Sequence, residues 1–376
     1  MWVMATIFDY LEWRGDIPFE ADPFNEVDNL ILAELAYTHF DGYVSEKGRG
    51  VPIEKVREEY FSTHSREVIM LDDNPIVRAP LLMDGMVSGR RFAGTVLSHY
   101  VNIVDTDMTV QMSAVTYRLN DGSYYVAFRG TDNTIVGWKE DFNMSYLPET
   151  EGQRRAVEYL SSAGSWCRGK VRTGGHSKGG NFAVYASAFC RPGMRDRIET
   201  VYTNDGPGFR REVMEKEEYL AVLPKVISIV PDTSVIGMLL TSSVEHFVVR
   251  SSERGLGQHD GMTWQVARNR FVQAELSDLG IFIRKTQRDW LSKLDDRTRE
   301  SFVNTLFSLF EATGMGTFGA MSDRKLKSAE SIITAMQGLP KDKQTELLRI
   351  IRELLNSSRQ TVKESLDRMI RERQND

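Results

Sequence analysis

Ser177 is the residue of this chain whose surroundings most clearly demand a chemical role. It lies in residues 175–179 (GHSKG), which fit the G-x-S-x-G pattern of a nucleophile elbow, where a serine stands exposed on a sharp strand-to-helix turn. Residues 170–173 before it predict a short strand, and residues 181–190 after it predict an apolar helix packed against a sheet. The alternative is a glycine-rich turn whose serine only caps a helix. The two flanks favour a nucleophile.

A serine hydroxyl needs a base to remove its proton, and the histidine follows the serine in the chain of proteins with such an elbow. Two of the six histidines come after the elbow, His246 and His259. His246 begins a strand-like run, which puts it at the wrong end of a parallel strand. His259 follows that run in a glycine-bearing loop, so we expect His259 to be the base.

A carboxylate normally fixes the tautomer of that histidine. Asp232 directly follows the apolar run 226–230 and therefore lies at the carboxyl end of a predicted strand. We expect Asp232 to be this acid. Asp205 has the equivalent position one strand earlier and is the alternative, although it can also form a simple Asx turn. Asp260, next to His259, would have to point the opposite way along the chain.

Two donors must also face the oxyanion of the tetrahedral intermediate. The residue after the nucleophile normally supplies one through its backbone N–H, which here is Lys178. The loop at Gly130 and Thr131 is the candidate for the second, because glycine permits close approach and Thr131 carries a backbone and a hydroxyl donor. Otherwise Thr131 simply ends a strand.

The pattern around these residues predicts an α/β fold. Residues 109–119 and 124–129 read as two strands joined by an Asn-Asp-Gly hairpin turn. Short apolar runs at 198–203, 226–230 and 246–250 alternate with helical segments, which favours a mostly parallel sheet flanked by helices. Ligands bind beyond the carboxyl ends of such strands, where the candidate residues lie.

The length of 376 residues suits such a core with additional helices. We expect residues 1–268 to form the core with an N-terminal helical segment, and residues 269–376 to form a helical C-terminal extension. The apolar stripes of this extension predict packing against the core or against a second copy. Homo-oligomerisation through the C-terminal helices is therefore one expected outcome.

Composition excludes several classes of protein. The net charge is −6 and only two cysteines occur, which argues against nucleic-acid binding, a disulfide framework and a cysteine metal site. The first fifteen residues carry Asp9, Glu12 and Arg14 within an apolar run, so they predict neither a signal peptide nor a spanning helix. We expect a cytoplasmic protein with no stable membrane insertion, no metal and no cofactor.

Several motifs together resemble class 3 (fungal-type) lipases, and most closely a group of uncharacterised bacterial lipase-like proteins. The motifs span about residues 109–266 and are FRGT at 128–131, Trp138, Asp141, GHSKGG at 175–180, VPD at 230–232 and His259. The resemblance implies an α/β-hydrolase fold that cleaves acyl esters without a cofactor. It also implies a triad of Ser177, Asp232 and His259, with Thr131 and Lys178 at the oxyanion hole.

Lys178 departs from those lipases, which commonly have an apolar residue after the nucleophile. Its cation would either bind an anionic or polar acyl compound near the oxyanion or point to solvent. Residues 234–240 are more apolar than a loop and are predicted to line an acyl pocket. Residues 208–223 predict an amphipathic crossover helix, with a lid as the less favoured alternative.

The sequence therefore predicts a serine carboxylic-ester hydrolase, a carboxylesterase or a lipase-like enzyme, acting on a small-molecule acyl ester or lipid through an acyl-enzyme. The alternative is a hydrolase-like binding or scaffold protein without catalysis, in which the helical C-terminus is the interaction surface. The same triad serves esters, thioesters and amides of any acyl-chain length, so the sequence is compatible with each of them.

Overall fold

The computed structural model describes residues 4–312 and 334–375. Its strands are β1 (Val51–Pro52), β2 (Val96–Asp105), β3 (Val110–Arg118), β4 (Tyr124–Phe128), β5 (Val171–His176), β6 (Ile198–Asn204), β7 (Val226–Pro231), β8 (His246–Val249), β9 (Val266–Ala267) and β10 (Arg270–Phe271). Its helices are α1 (Ile7–Arg14), α2 (Glu26–Leu35), α3 (Ile53–Thr63), α4 (Arg66–Met70), α5 (Pro75–Arg78), α6 (Leu82–Ser88), α7 (Ile135–Asn143), α8 (Glu151–Ala163), α9 (Lys178–Phe189), α10 (Pro192–Arg195), α11 (Arg211–Met214), α12 (Glu217–Val222), α13 (Asp278–Ser292), α14 (Asp296–Glu311) and α15 (Lys341–Asn375).

Strands β1 to β8 form one sheet, in which the strands lie side by side in chain order. Neighbours from β1 to β4 are antiparallel, and neighbours from β4 to β8 are parallel. The predicted hairpin is formed by β3 and β4, with Arg118 opposite Tyr124. The prediction of a mostly parallel sheet flanked by helices, an α/β-hydrolase fold, is confirmed.

This strand order decides how the two faces of the sheet are covered. Right-handed crossovers between parallel strands that advance in one direction place their helices on the same face. Helices α8, α9 and α12 pack there around Phe128, Phe182 and Val201. The N-terminal helices cover the opposite face, where Leu30 and Tyr125 are fully buried. The N-terminal segment is thus one of three layers of the core.

Helix α2 brings the N-terminal layer directly beneath the carboxyl ends of the central strands. Asn25 caps its first turn by accepting from the backbone N–H groups of Val27 and Asp28, an arrangement that stabilises a helix N-terminus. Every residue from Val27 to Leu35 is buried. The Asn29 amide donates to Asn204 Oδ1 at 2.8 Å, so α2 is fixed to the end of β6.

The C-terminal helices pack against the rest of the chain, which is one of the two arrangements expected for them. Phe302 and Phe307 of α14 form an apolar cluster with Ile135 of α7, and Leu347 and Ile350 of α15 belong to the same cluster. The division at residue 268 stays a prediction, and the β9–β10 hairpin crosses it. Self-association through these helices also stays a prediction.

Residues 208–223 form α11 and α12 between β6 and β7. Their apolar side chains Val213, Tyr219 and Val222 are buried in the core, and α12 packs on α9. This segment is therefore the predicted crossover helix and not a lid. In the described part of the chain, no helix has both the length and the apolar character that membrane crossing requires.

Candidate active site

Ser177 lies between β5 and α9 with φ of 56° and ψ of −133°. This conformation is sparsely populated by residues other than glycine and costs about 1–3 kcal/mol. Two backbone hydrogen bonds hold the turn, from Ser177 N to Asn204 O at 2.9 Å and from Gly180 N to Ser177 O at 2.9 Å. The turn has the strained strand-to-helix geometry predicted for a nucleophile elbow.

The glycines of the motif are required by close backbone approach. A Cβ atom on Gly179 would lie 2.0 Å from the carbonyl oxygen of Phe128. A Cβ on Gly130 would lie 2.1 Å from the Tyr37 hydroxyl oxygen and 3.0 Å from Ser177 Cβ. Any side chain at these positions would separate β4 from the elbow, so the glycines allow the loop after β4 to reach the serine.

The imidazole of His259 contacts the carboxylate of Asp205. His259 Nδ1 donates to Asp205 Oδ2 at 2.6 Å, and the Asp205 side chain is fully buried. Asp205 Oδ1 accepts from the Ser234 hydroxyl at 2.5 Å and from Gly237 N at 3.2 Å. This pairing leaves Nε2 of a neutral His259 as a proton acceptor, which is the state a general base needs.

The prediction that Asp232 contacts this histidine is wrong. Asp232 Oδ1 accepts from the Thr233 hydroxyl at 2.9 Å and from Gln258 Nε2 at 3.0 Å. The reason lies in the sheet: Asp205 directly follows β6, the immediate neighbour of the elbow strand, whereas Asp232 follows β7, one strand further away. Asp232 instead fixes the loop residue that precedes His259.

The residues predicted for the oxyanion hole lie beside the elbow. Gly130 is so near Ser177 that a Cβ atom on it would lie 3.0 Å from Ser177 Cβ, and Lys178 is the first residue of α9. The backbone N–H groups of Thr131 and Lys178 make no hydrogen bond to any described residue. The Thr131 hydroxyl donates to Asp141 Oδ2, so its backbone N–H is the donor that is free for an oxyanion.

Asp141 has a buried carboxyl group whose pKa is raised. Burial raises its pKa to about 6, while nearby Lys178 and the hydrogen bond from Thr131 lower it. Its second oxygen, Oδ1, is buried without a hydrogen bond to a described residue. Asp141 thus orients Thr131 and titrates within a pH range in which hydrolases act.

The side chain of Lys178 neither points to solvent nor offers its charge to an acyl compound, the two alternatives predicted for it. Its ammonium is fully buried 3.1 Å from Glu140 Oε2, away from solvent. Glu140 also accepts from Gln111 N at 3.0 Å and Gly152 N at 2.6 Å. The cation is therefore neutralised by a carboxylate that joins β3, α7, α8 and α9, and it is not available to bind an anionic substrate.

His176, the residue before Ser177, supports the loop that carries His259. Its Nε2 lies 2.6 Å from the carbonyl oxygen of His259, and its Nδ1 lies 2.9 Å from the Tyr37 hydroxyl. Burial, followed by the nearby His259, lowers the pKa of His176 to about 3. Neutral His176 therefore donates through Nε2 and accepts from Tyr37 through Nδ1.

A cavity of about 610 Å³ joins these groups, which is a usual volume for a small-molecule site. Ser177, Thr131 and His259 line one part of its wall. Within the described residues no hydrogen bond joins Ser177 to His259, as is common before a substrate aligns the two groups. The described residues also include no cluster of His, Cys, Asp and Glu suited to a metal ion.

The remaining wall of the cavity is mostly apolar. Val235, Ile236, Leu239 and Leu240 line it, as predicted for residues 234–240. Helices α13, α14 and α15 also line it, with Trp290, Leu291, Phe302, Val303, Leu306 and Leu354, and Leu294 lies between α13 and α14. Further apolar lining comes from Pro75 and Ile76 of α5 and from Trp138 and Phe142 of α7. The C-terminal helices are therefore part of the site.

A family model described as Mbeg1-like matches residues 86–308, which is more than half of the chain. The chain belongs to the Mbeg1-like family. This family is lipase-like and supports a hydrolase-like role, while membership in class 3 stays a prediction. No curated protein matches the sequence significantly.

Among solved structures, the chain is similar to one described as a crystal structure of M37 lipase. The identity is 13% and the TM-score is 0.36, with 58% of this chain and 70% of that chain covered.

Sequence reasoning missed three contributors to the site. The G-x-S-x-G pattern places no constraint on His176, and Glu34 and Tyr37 fall in the N-terminal helical segment, for which no site role is predicted. All three line the cavity. The one acid within the apolar run 30–37 (LILAELAY) is the sequence signal that could have found Glu34. The apolar wall from the C-terminal helices had no local signal, because apolar stripes also serve ordinary packing.

Proposed function

We propose that this protein is a serine hydrolase that cleaves acyl esters. Ser177 is the nucleophile, His259 the general base and acid, and Asp205 the carboxylate that orients His259. The observation that carries the proposal is the buried Asp205–His259 hydrogen bond of 2.6 Å in a cavity shared with a serine on a strained elbow. These are the three roles that acyl transfer through a serine requires.

In the acylation step, Nε2 of His259 takes the Ser177 hydroxyl proton while Oγ bonds to the ester carbonyl carbon. The carbonyl π-electron pair moves to oxygen, and the backbone N–H groups of Thr131 and Lys178 donate to this oxyanion. The intermediate then collapses, the carbon–oxygen bond to the leaving alcohol breaks, and His259 returns its proton to that alcohol. Water repeats the sequence on the acyl-enzyme and releases the acid.

The acyl chain of the substrate lies against the apolar wall formed by Val235, Leu239 and Leu240 together with α13 and α14. This assignment rests on the lining of the cavity. Removing apolar area from water contributes about 25 cal/mol per Å², so a long alkyl chain gains most from such a wall. A lipid-like acyl ester is the substrate class that fits.

A fluorophosphonate probe tests the nucleophile directly, because it bonds only to an activated serine. We expect the wild-type protein to be labelled and Ser177→Ala to remain unlabelled. The matched control is Ser187→Ala, which removes a buried hydroxyl of α9 but keeps Ser177, His259 and the contacts of Asp205. A folded wild-type protein that stays unlabelled would favour the alternative of a non-catalytic binding protein.

An ester panel then defines the reaction. p-Nitrophenyl esters of increasing acyl length, measured with wild type and Ser177→Ala, should show turnover only with Ser177 present. We expect kcat/KM to rise from acetyl to medium-length chains as the apolar wall fills. Equal rates in both proteins would contradict Ser177 catalysis.

A further inference from the structure

Glu34 is a buried carboxyl that opens on the catalytic cavity without a partner. It is the penultimate residue of α2, 1% exposed, and lines the cavity wall. Its carboxyl makes no hydrogen bond to any described residue, and Oε1 is buried. Leaving such a group unpaired costs about 1–3 kcal/mol or more. That cost is explained if a ligand supplies the missing hydrogen bond.

His176 cannot supply the hydrogen bond that the Glu34 carboxyl lacks. Its Nδ1 lies 3.7 Å from Glu34 Oε1, beyond hydrogen-bond distance, and already accepts from Tyr37. Its Nε2 donates to the carbonyl of His259. The imidazole is neutral, since its pKa is lowered to about 3, so it offers no charge to Glu34 either.

The surroundings of the Glu34 carboxyl favour its protonated form. Burial raises its pKa well above the usual range, and nearby Asp260 raises it further. A protonated carboxyl has one O–H donor and acceptor oxygens. A hydroxyl group, which both donates and accepts, is the complementary ligand.

Glu34 lies on the side of the cavity that faces the leaving alcohol and not on the side of the acyl chain. A Cβ atom on Gly261 would lie 2.3 Å from Glu34 Oε1, so the carboxyl lies against the loop that carries His259. His259 must give its proton to the leaving alcohol, which therefore lies on this side. The apolar wall for the acyl chain comes from residues 235–240 and the C-terminal helices.

We propose that Glu34 is a specificity residue that hydrogen-bonds a hydroxyl group on the leaving alcohol, so that esters of diols and polyols are preferred over simple alkyl esters. The inference rests on the proposed function, because a leaving alcohol exists only if an ester is cleaved. A hydroxyl suits this place better than an ammonium. His259 becomes a cation during turnover, and a second cation beside it would oppose that step.

Two esters of equal size test the subsite: 2-hydroxyethyl octanoate and propyl octanoate differ only in a hydroxyl in place of a methyl group. We expect wild type to prefer the hydroxyethyl ester by about tenfold in kcat/KM, because one buried hydrogen bond contributes about that factor. Glu34→Leu should lower this ratio to about one, since it removes the hydrogen bond. Glu34→Gln keeps a donor and an acceptor and should retain most of the preference. A ratio that is equal in wild type and Glu34→Leu would overturn the proposal.

Binding to Ser177→Ala gives a readout that does not depend on turnover. We expect calorimetry to show tighter binding of 2-hydroxyethyl octanoate than of propyl octanoate, and loss of that difference in the Ser177→Ala, Glu34→Leu double variant. This holds even if the wild type hydrolyses neither ester, so failure of the subsite and failure of the hydrolase proposal are separable. If a 2-aminoethyl ester binds more tightly than the hydroxyethyl ester, and Glu34→Gln abolishes that preference, the ligand is a cation and the proposal is wrong.

Discussion

His259 Nδ1 lies 2.6 Å from Asp205 Oδ2, at the carboxyl end of the strand next to the nucleophile elbow. The other oxygen of Asp205 is held by Ser234 and by Gly237 N. The carboxylate is thus fixed from two sides, and its remaining oxygen has a single orientation toward the imidazole. In the proposed reaction, such a carboxylate holds one tautomer of the histidine and stabilises the imidazolium.

Asp205→Asn should therefore lower kcat for an activated ester by about 10³- to 10⁴-fold, because the amide favours the wrong tautomer of His259. The matched control is Asp232→Asn, which loosens the Gln258 contact and should cost less than about tenfold, the effect of one hydrogen bond. Steady-state kinetics on both variants separates the two carboxylates. A larger loss in Asp232→Asn would return the role to Asp232.

His176→Phe should lower kcat by about tenfold with little change in KM, since it removes one hydrogen bond that holds the His259 loop. Phenylalanine keeps an aromatic ring beside the His259 ring, whose centroid lies 4.5 Å away. His176 acts through His259 and is a positioning residue. If KM instead rises by about the same factor as the expected fall in kcat, His176 contacts the substrate.

Much of the fold was predictable because its signals are local. The six predicted strands at 109–119, 124–129, 170–173, 198–203, 226–230 and 246–250 correspond to β3 to β8. Hydrophobic runs and turn residues mark such strands without help from distant parts of the chain. The elbow was predictable for the same reason, since its glycines and serine are consecutive.

Which carboxylate contacts His259 was not predictable in this way. Asp205 and Asp232 each follow a buried strand, so the local pattern is the same for both. Which of them meets His259 depends on how far the loop after β8 folds back across the sheet, and that is a long-range property. The burial of Lys178 was hidden likewise, because its partner Glu140 precedes it by 38 residues.

Asp141 should make stability depend on pH in a predictable direction. Its pKa is about 6 in the folded chain against 3.8 ordinarily, so between these values the folded chain keeps a proton that the unfolded chain has lost. The free energy of unfolding therefore falls as the pH rises through this window, on the order of 3 kcal/mol in total. Asp141→Asn lacks this group, and wild type should lose stability relative to it between pH 3.5 and 7. Urea unfolding of both proteins across that range measures the difference, which would stay constant if Asp141 titrated normally.

Lys178→Met should destabilise the protein by about 3–5 kcal/mol, because it leaves the fully buried Glu140 carboxylate without its cation. The control is Lys139→Met on the same helix as Glu140. Lys139 pairs with the exposed Glu311 at 3.4 Å, and such surface pairs contribute about 0–1 kcal/mol. Urea unfolding at pH 7 compares the two variants. Equal stability losses would contradict the buried ion pair.

Val303 tests whether the C-terminal helices set the acyl-chain length. It is 1% exposed and lies on the face of α14 that lines the cavity, so Val303→Trp fills space that a long chain would use. We expect the acyl length of maximal kcat/KM to shorten while esters of acetate keep their rate, because an acetyl group needs little of the cavity. Overpacking costs about 1–3 kcal/mol, so Tm is measured alongside to confirm that the variant is folded. Leu348→Trp on α15 is the control, since Leu348 is 48% exposed and should leave the chain-length profile unchanged. If both variants give the wild-type profile, the acyl chain lies elsewhere and the C-terminal helices only close the cavity.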